Sequence, residues 1–381
     1  MSLLRVSEPE EAGFSAVRLE NAYRILKESV AKGILPAAGL LVSRRGTPVE
    51  PRVFGRAAPE ADAPPIDTDA IFLVASVTKP VTATAAMMLV ERGKITLDDY
   101  VASIIPEFAC KGKDKIEIRH LLTHTSGLPD QLPENIQLRK RHQGLDVYVR
   151  HIYDCELLFT PGTNVSYQSC GFGILGEIVR RVEGIPLPEF LQRQIFKPLG
   201  MNNSSLGARK DMYHRIARIN IKDVKEYGGP RTDWNWNTEY WWTFAAPWGG
   251  MFTTLEDYTI FLQMFLNGGS FHGKRLLSPA TVSAMTRNQI IGMRTIPEEV
   301  RLLNGWGFGW RLNIPAGLPS FGDLTSPEAY GHTGATGTAV WADPTWSLTY
   351  VLFTAQPSPP QRLLRLCANS VVGALEGDAS D

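Results

Sequence analysis

The sequence predicts an α/β fold of the α+β type, in which one sheet is assembled from both ends of the chain around a helical insertion. Short β-rich runs occur near both ends, whereas the middle of the chain has helical periodicity. Helical segments also begin and end the chain, and they could cover the two faces of the sheet. We expect one domain over residues 1–381, with the α/β part at approximately 1–75 and 290–381 and a helical subdomain at approximately 76–289.

The N-terminal elements follow from the spacing of apolar residues. Residues 15–32 repeat apolar side chains at helical intervals, and Pro36 ends this helix. Residues 37–43 and 51–54 then have the pattern of two paired strands, with a turn near Arg44-Arg45-Gly46.

The rest of the chain has mostly helices first, then strands, and a closing helix. Helical patterns cover residues 116–122, 145–155, 171–182, 186–195, 254–266, 278–288 and 363–375. β-rich runs bounded by Gly and Pro cover residues 305–312, 329–332, 336–342 and 347–355. We expect these late strands to join the early pair in one sheet.

The stretch around Ser76 is the first candidate for chemistry. A short buried strand or turn leads into residues 81–90, which are apolar or small on nearly every face and therefore predict a buried helix. Ser76 and Lys79 are three residues apart, so they share a face at the start of this helix. A helix start favours negative charge, which suits a serine that becomes an alkoxide. By itself, Ser-x-x-Lys also fits a helix cap followed by a surface lysine.

Two further motifs follow along the chain. Tyr167 precedes a predicted helix in a Gly-rich context, where its hydroxyl can reach a cleft; packing of the ring in the core is the alternative. His332-Thr333-Gly334 lies between two β-rich runs, where small residues would let a ligand lie close to the strand edge. A Gly-rich hairpin turn is the alternative for this motif.

Together the motifs Ser-x-x-Lys, Tyr-x-Ser and His-Thr-Gly resemble those of the serine β-lactamase and penicillin-binding-protein family. The resemblance is strongest to its class C branch and to the related family VIII carboxylesterases. Segments at residues 121–128, 198–201 and 249–254 look like framework segments of that family. The resemblance implies a β-lactamase/transpeptidase-like fold, with an antiparallel sheet flanked by helices, a mostly helical subdomain and the site between them.

The resemblance also implies catalytic roles. Ser76 would be the acylated nucleophile, and Lys79 and Tyr167 would activate it and carry its proton to the leaving group. His332 would complete the catalytic set. Backbone N–H groups of Ser76 and Ala335 would form the oxyanion hole. Which of Lys79 and Tyr167 acts as the general base is left open by the sequence.

Two positions depart from the family pattern. Ser169 stands where the usual Tyr-x-Asn has asparagine, and His332 stands where the Lys-Thr-Gly of β-lactamases has lysine. A lysine helps to hold a β-lactam carboxylate, whereas histidine is mostly neutral at pH 7. Both changes favour an uncharged ester over a β-lactam. We place Ser169 and Gly334 among the predicted substrate-binding residues.

An aromatic-rich segment within residues 201–248 has little periodicity. Trp241, Trp242 and Trp248 are predicted to line an apolar pocket for an acyl or alcohol group, and the alternative is that they pin a long loop to the body. His120 and His124 are four residues apart but lack the His-Glu-x-x-His pattern, so we interpret them as structural. No metal or other cofactor is predicted.

Charge and cysteine usage restrict the partners. Lys plus Arg equals Asp plus Glu at 39 each, so neither nucleic acid nor a membrane surface is expected as a partner. The basic run Arg139-Lys140-Arg141 predicts a solvated helix face. The sequence shows no apolar leader or membrane span, and its four cysteines are scattered. We expect a cytoplasmic protein with free thiols, unless an export signal has been removed.

The leading interpretation is a serine carboxylesterase that acts on a small-molecule ester through an acyl-enzyme on Ser76. A β-lactamase or D,D-peptidase is the alternative enzyme, and the absence of an export signal counts against it. A non-catalytic binding protein with a retained cleft is the third alternative, against which the intact Ser76, Lys79 and Tyr167 argue. Hydrolysis and transesterification use the same chemistry, so the sequence does not separate them, and it does not define the oligomeric state.

Overall fold

The computed structural model describes residues 4–221, 228–314 and 321–377. Its strands are β1 Ala37–Arg44, β2 Thr47–Pro48, β3 Arg52–Gly55, β4 Phe72–Leu73, β5 Ser205–Leu206, β6 Met251–Thr253, β7 Ser270–Phe271, β8 Lys274–Arg275, β9 Arg311–Leu312, β10 Tyr330–Gly334, β11 Thr338–Asp343 and β12 Leu348–Thr354. Its α-helices are α1 Ala16–Ala31, α2 Thr78–Glu91, α3 Val101–Ile104, α4 Ile118–Leu122, α5 Asn135–Lys140, α6 Leu145–Asp154, α7 Cys170–Glu183, α8 Leu187–Leu191, α9 Lys197–Leu199, α10 Glu239–Phe244, α11 Leu255–Leu266, α12 Pro279–Thr286, α13 Glu298–Leu303 and α14 Gln361–Val372.

A large antiparallel sheet is built from both ends of the chain, as the sequence predicts. Within the described residues its strand order is β2-β1-β12-β11-β10-β9, and β3 pairs with the first half of β1. The central pair, β1 and β12, runs from Ala38 opposite Thr354 to Arg44 opposite Leu348. A smaller sheet of order β4-β6-β5 carries the strand that leads to Ser76.

Helices cover both faces of the large sheet because its central strands are apolar on both sides. Leu40 and Tyr350 face a cluster that includes residues of α1 and α14, whereas Leu41 and Val351 face a cluster that includes residues of α11. The prediction that the two terminal helices cover different faces is therefore wrong. The apolar stripes of α1 and α14 are buried partly against each other, which keeps both helices on one face, and α11 covers the second face.

The helix that begins next to Ser76 is buried along almost its whole length. Every residue of α2 from Thr78 to Leu89 is buried, and the helix packs against α7. Pro80 lies in the first turn, where its missing N–H breaks no intrahelical hydrogen bond. Gly93 follows the last turn with a φ of +66°, a left-handed conformation that glycine adopts readily. The predicted buried helix is confirmed.

Several elements differ from the sequence prediction. The aromatic segment contains α10, which the spacing does not reveal because aromatic side chains occupy several of its faces; residues 222–227 of that segment lie outside the described residues. The strand predicted at 305–312 is reduced to Arg311–Leu312. None of the helices in the described parts of the chain has both the length and the apolar character needed to cross a bilayer.

Candidate active site

Ser76 lies in a tight turn between β4 and α2. Ala75, the residue before it, has a left-handed φ of +46°, and Ala75–Val77 forms a single 3₁₀ turn. This conformation costs a non-glycine residue about 1–2 kcal/mol, and such strain is concentrated at functional sites. The turn places the half-buried Ser76 side chain at a cavity of about 710 Å³.

Lys79 is completely buried and contacts Ser76 directly. Its Nζ lies 3.0 Å from Ser76 Oγ and 3.0 Å from the carbonyl oxygen of Trp248. Burial lowers the pKa of Lys79 to about 7, although the charge of the Asp130 carboxylate opposes that change. A large fraction of the amine is therefore neutral near pH 7, and this form can accept the Ser76 proton.

The Tyr167 hydroxyl interacts with the Ser76 side chain, and both residues line the cavity. Burial raises the pKa of this phenol well above its ordinary value, so it keeps its proton at neutral pH. Its ring centre lies 4.6 Å from Lys79 Nζ and 4.7 Å from the ring centre of His124. Tyr167 is therefore both packed and within reach of the nucleophile. This geometry favours Lys79 as the base and Tyr167 as the proton donor.

His332 is buried beside the cavity in a neutral state. Its Nδ1 lies 2.7 Å from the carbonyl oxygen of Thr333, which can only accept, so we infer that Nδ1 carries the proton and Nε2 is an acceptor. Burial, and then the charge of Lys79, lower the pKa of His332 to about 3. Its Nε2 has no hydrogen-bond partner among the described residues. His332 thus offers the site a lone pair and no positive charge.

The turn between β10 and β11 is bonded to the strand that precedes the nucleophile. The Thr336 hydroxyl donates to the Leu73 carbonyl at 2.7 Å, and the Thr338 hydroxyl donates to the Val74 carbonyl at 2.9 Å. Both threonines are buried, so water does not compete for these hydrogen bonds. The two bonds fix the turn that carries Ala335, one of the two predicted oxyanion donors.

Gly334 allows β10 to approach the Ser76 turn closely. A Cβ at this position would lie 2.3 Å from the carbonyl oxygen of Val74, so a larger residue would push the strand away. Gly334, Ala335 and Ser76 all line the same cavity. The structure thus brings both predicted oxyanion donors to one place, and it gives Gly334 a role in backbone approach.

Asp130 is a candidate that the sequence analysis misses. It lines the cavity, and Ser169 Oγ donates to its Oδ1 at 2.6 Å. Ser169, which stands in place of the family's asparagine, also lines the cavity and is turned onto this carboxylate. Asp130 lies 39 positions before Ser169, so no local motif contains both residues, and only the tertiary fold brings them together.

Two arginines also line the cavity without being predicted there. Arg311 lies on β9 opposite Gly331 of β10, which places a permanent positive charge on the strand beside His332. The sequence predicts a solvated helix face for Arg139, but this residue is only 5% exposed and its guanidinium lies 4.4 Å from the Trp241 ring centre. That prediction is wrong because α5 packs its Arg139 side against the aromatic segment.

Three tryptophans of the aromatic segment, Trp236, Trp241 and Trp248, line the cavity. Trp242 is not among the lining residues: its Nε1 donates to the Trp236 carbonyl at 2.9 Å, and its ring packs edge-on against Tyr213. Trp242 therefore pins the segment to the body, as in the alternative interpretation. Trp241 and Trp248 line the cavity, and their contact with substrate stays a prediction.

His120 and His124 make structural contacts. The Glu117 N–H donates to His120 Nδ1 at 3.1 Å, which is half of a capping box at the start of α4. The Gln168 N–H donates to His124 Nδ1 at 3.1 Å, which fixes the backbone next to Tyr167. In the part of the chain that the structure describes, no group of three or more His, Cys, Asp or Glu side chains is arranged to hold a metal ion.

Known proteins are similar to this sequence over nearly its whole length. The Beta-lactamase family model matches residues 23–366. A protein of Salmonella agona (strain SL483), which carries the provisional name D-alanyl-D-alanine carboxypeptidase, is 28% identical over 403 aligned positions. The alignment covers 98% of this chain and 90% of the Salmonella protein.

Two solved structures have the same fold at low sequence identity. EstCE1, described as a hydrolase with promiscuous acyltransferase activity, has a TM-score of 0.77 at 20% identity, covering 94% of this chain and 99% of its own. A family VIII carboxylesterase has a TM-score of 0.74 at 22% identity, covering 95% and 99%. From the family match, and in agreement with the fold and the Ser76 site, we conclude that this chain belongs to the beta-lactamase family of serine hydrolases.

Proposed function

We propose that the protein is a serine carboxylesterase that cleaves a small-molecule ester through an acyl-enzyme on Ser76. The observation that carries the proposal is the distance of 3.0 Å between Ser76 Oγ and the amine of Lys79. Burial lowers the pKa of this amine to about 7. Serine is a poor nucleophile until a base of this kind removes its proton. The neutral His332 and the fold shared with a family VIII carboxylesterase support an ester as the substrate.

Acylation proceeds by two proton transfers in this mechanism. Ser76 Oγ attacks the carbonyl carbon of the ester while its proton passes to the neutral amine of Lys79. The carbonyl oxygen becomes an oxyanion, which accepts hydrogen bonds from the backbone N–H groups of Ser76 and Ala335. As the bond between the carbonyl carbon and the alcohol oxygen breaks, Tyr167 donates its proton to the alkoxide and regains one from the Lys79 ammonium.

Deacylation repeats these steps with water as the nucleophile. Water attacks the acyl carbon and gives a proton to Lys79, and Ser76 Oγ leaves with a proton that returns through Tyr167. The carboxylic acid is then released. An alcohol in place of water forms a new ester, so the same residues would serve transesterification.

Intact-mass spectrometry tests this proposal. Wild type incubated with a short-chain p-nitrophenyl ester is expected to gain the mass of one acyl group and to turn over. Ser76→Ala is expected to gain no mass, to show no turnover and to resist labelling by a fluorophosphonate. Acylation of Ser76→Ala at the wild-type rate would contradict the site, and a wild type that reacts with a penicillin in preference to the ester would contradict the esterase.

A D,D-carboxypeptidase is the second candidate, and Arg311 is the observation that favours it. A substrate carboxylate needs a cation, which His332 lacks, but Arg311 brings one to the same cavity from the adjacent strand. The provisional name of the Salmonella relative points the same way. This candidate would replace the esterase if a peptide ending in D-Ala-D-Ala were cleaved faster than neutral esters and Arg311→Gln impaired cleavage of the peptide more than that of an ester.

A further inference from the structure

We infer that Asp130 is a specificity-determining residue, which selects acyl groups carrying a protonated amino group near the scissile carbonyl. The inference rests on the acyl-transfer function proposed above, and it names a substrate class for that site: aminoacyl esters or amides with a free amino group.

The Asp130 carboxylate lies in the cavity that also contains the nucleophile. Asp130 and Ser76 line the same cavity, so a bound acyl group can extend from the nucleophile to the carboxylate. The Ser169 hydroxyl donates to Oδ1 and holds the side chain in place at 2.6 Å. The charge of Asp130 raises the pKa of Lys79, but the hydrogen bonds of Lys79 go to Ser76 and to the Trp248 carbonyl.

The part of the cavity wall formed by Asp130 and Ser169 has a chemistry that suits a cation. The asparagine of the family pattern offers both a donor and an acceptor, whereas here the Ser169 hydroxyl is used on Asp130 and the cavity faces a negatively charged acceptor. A carboxylate binds N–H groups, most strongly those of an ammonium, and repels the oxygens of a carbonyl or carboxylate. An acyl group with a cationic donor fits this wall.

An aromatic residue, Trp248, lies beside Asp130 in the cavity wall. Trp248 shares with Asp130 and Ser169 both the wall of the main cavity and the wall of a small recess next to it. Indole faces attract cations, and an ammonium between a carboxylate and an indole keeps favourable contacts after losing its water. Arg311 adds positive charge at the sheet, so an ammonium would be directed toward Asp130.

The test compares two esters that differ by one amino group. Benzyl esters of D- and L-alanine are measured against benzyl propionate near neutral pH, where an α-amino group is largely protonated. The readout is the ratio of kcat/KM for the alanine ester to kcat/KM for the propionate. Both substrates meet the same enzyme at the same pH, so the protonation state of Lys79 cancels in this ratio.

For wild type and one of the two alanine esters, the kcat/KM ratio is expected to exceed the ratio of the uncatalysed hydrolysis rates of the alanine ester and the propionate. Asp130→Asn keeps the shape of the side chain and removes its charge, so the ratio is expected to fall by about tenfold or more, the usual effect of losing a charge-assisted hydrogen bond. Asp62→Asn is the matched control, because Asp62 is an exposed residue that does not line the cavity, and its ratio is expected to equal that of wild type.

Two outcomes would overturn the inference in distinguishable ways. If wild type cleaves both esters without preference, or if Asp130→Asn leaves the ratio unchanged, Asp130 does not select the acyl group, although the esterase stands. If neither ester acylates Ser76 in the mass spectrum, the proposed function is wrong and the inference falls with it. The same comparison can be made without a variant by measuring the inhibition of wild type by benzylammonium and by benzyl alcohol. Benzylammonium is expected to inhibit more strongly, and equal inhibition would also overturn the inference.

Discussion

At the scale of single residues, the proposed chemistry depends on the balance between the neutral and the protonated form of one buried amine. Burial disfavours the ammonium form of Lys79, and the Asp130 carboxylate favours it. The resulting pKa of about 7 suits a general base, since a base works best when its pKa lies near the working pH. Asp130 raises the pKa of this amine although its carboxylate accepts a hydrogen bond from Ser169 and none from Lys79 is found among the described contacts.

The pH profile of the proposed esterase activity should report the protonation of Lys79. The protonated amine cannot accept the Ser76 proton, so kcat/KM for a neutral ester is expected to fall as pH decreases through about 7. Because the charge of Asp130 raises the pKa of Lys79, Asp130→Asn is expected to move this acidic limb to lower pH. The exposed Asp62→Asn serves as the control. A limb that stays in place or moves to higher pH in Asp130→Asn would show that Lys79 is not the group being titrated.

Replacement of Tyr167 separates its packing from its chemistry. Tyr167→Phe keeps the ring that packs on His124 and removes the hydroxyl that contacts Ser76. We expect kcat to fall by about 100-fold or more, with little change in melting temperature, because the proton donor to the leaving group is lost. An unchanged kcat with a lower melting temperature would assign the tyrosine to packing alone.

At the scale of elements, the site depends on contact between two chain segments that are far apart in sequence. In the proposed mechanism the β10–β11 turn supplies one oxyanion donor, and the 3₁₀ turn before α2 supplies the other. Their relative position is fixed by the Thr336 and Thr338 hydroxyls, which donate to the carbonyls of Leu73 and Val74. An oxyanion hole works only when both donors are held where the charge develops, so in the proposed mechanism these two threonines are positioning residues.

Removal of one of these bonds should affect the rate more than substrate binding. Thr336→Val has nearly the same shape as the buried threonine and lacks the hydroxyl that bonds to Leu73. We expect kcat to fall about tenfold or more with a smaller change in KM, and the free energy of unfolding to fall by about 1 kcal/mol. Thr336→Ser keeps the hydroxyl and is expected to restore most of kcat. A serine variant as slow as the valine variant would rule out a role for the hydrogen bond.

The sequence predicts elements and residues when their signal is local. Ser76, Lys79, Tyr167 and His332 stand in short motifs. The structure places Ser76, Tyr167 and His332 at one cavity and Lys79 in contact with Ser76. Asp130, Arg311 and Arg139 are missed because nothing near them in the chain indicates which wall they face. The placement of α1 and α14 on one face is missed for the same reason, since helical periodicity shows that a stripe is buried but not what buries it.

At the scale of the whole molecule, burial of Lys79 costs stability. Its pKa falls from the ordinary 10.5 to about 7, which corresponds to about 5 kcal/mol once the pH is below both values. Between these two pH values the unfolded chain binds the proton and the folded chain does not, so stability rises with pH. The cost is therefore absent above the unfolded pKa and is reached in full as pH falls through the folded pKa.

Replacement of Lys79 should expose this cost. Lys79→Met removes the titrating amine and keeps a long side chain in the core, so the difference in unfolding free energy between wild type and Lys79→Met is measured against pH. Wild type is expected to gain on the variant by about 1.4 kcal/mol per pH unit between about 7 and 10.5. Comparison with the variant cancels the other titrating groups. A difference that does not depend on pH would mean that the buried amine is not neutral in the folded protein.

The pairing of β1 with β12 also determines how long one edge of β1 stays exposed during translation. β1 leaves the ribosome early, with side chains that are buried on both faces in the finished protein, and its neighbour β12 follows only after most of the chain has been translated. During this interval β1 can already pair with β2 and β3 along one edge, but the edge that later pairs with β12 is open and can pair with a strand of another nascent chain. Covering of this open edge is therefore expected to limit aggregation most before β12 has been made.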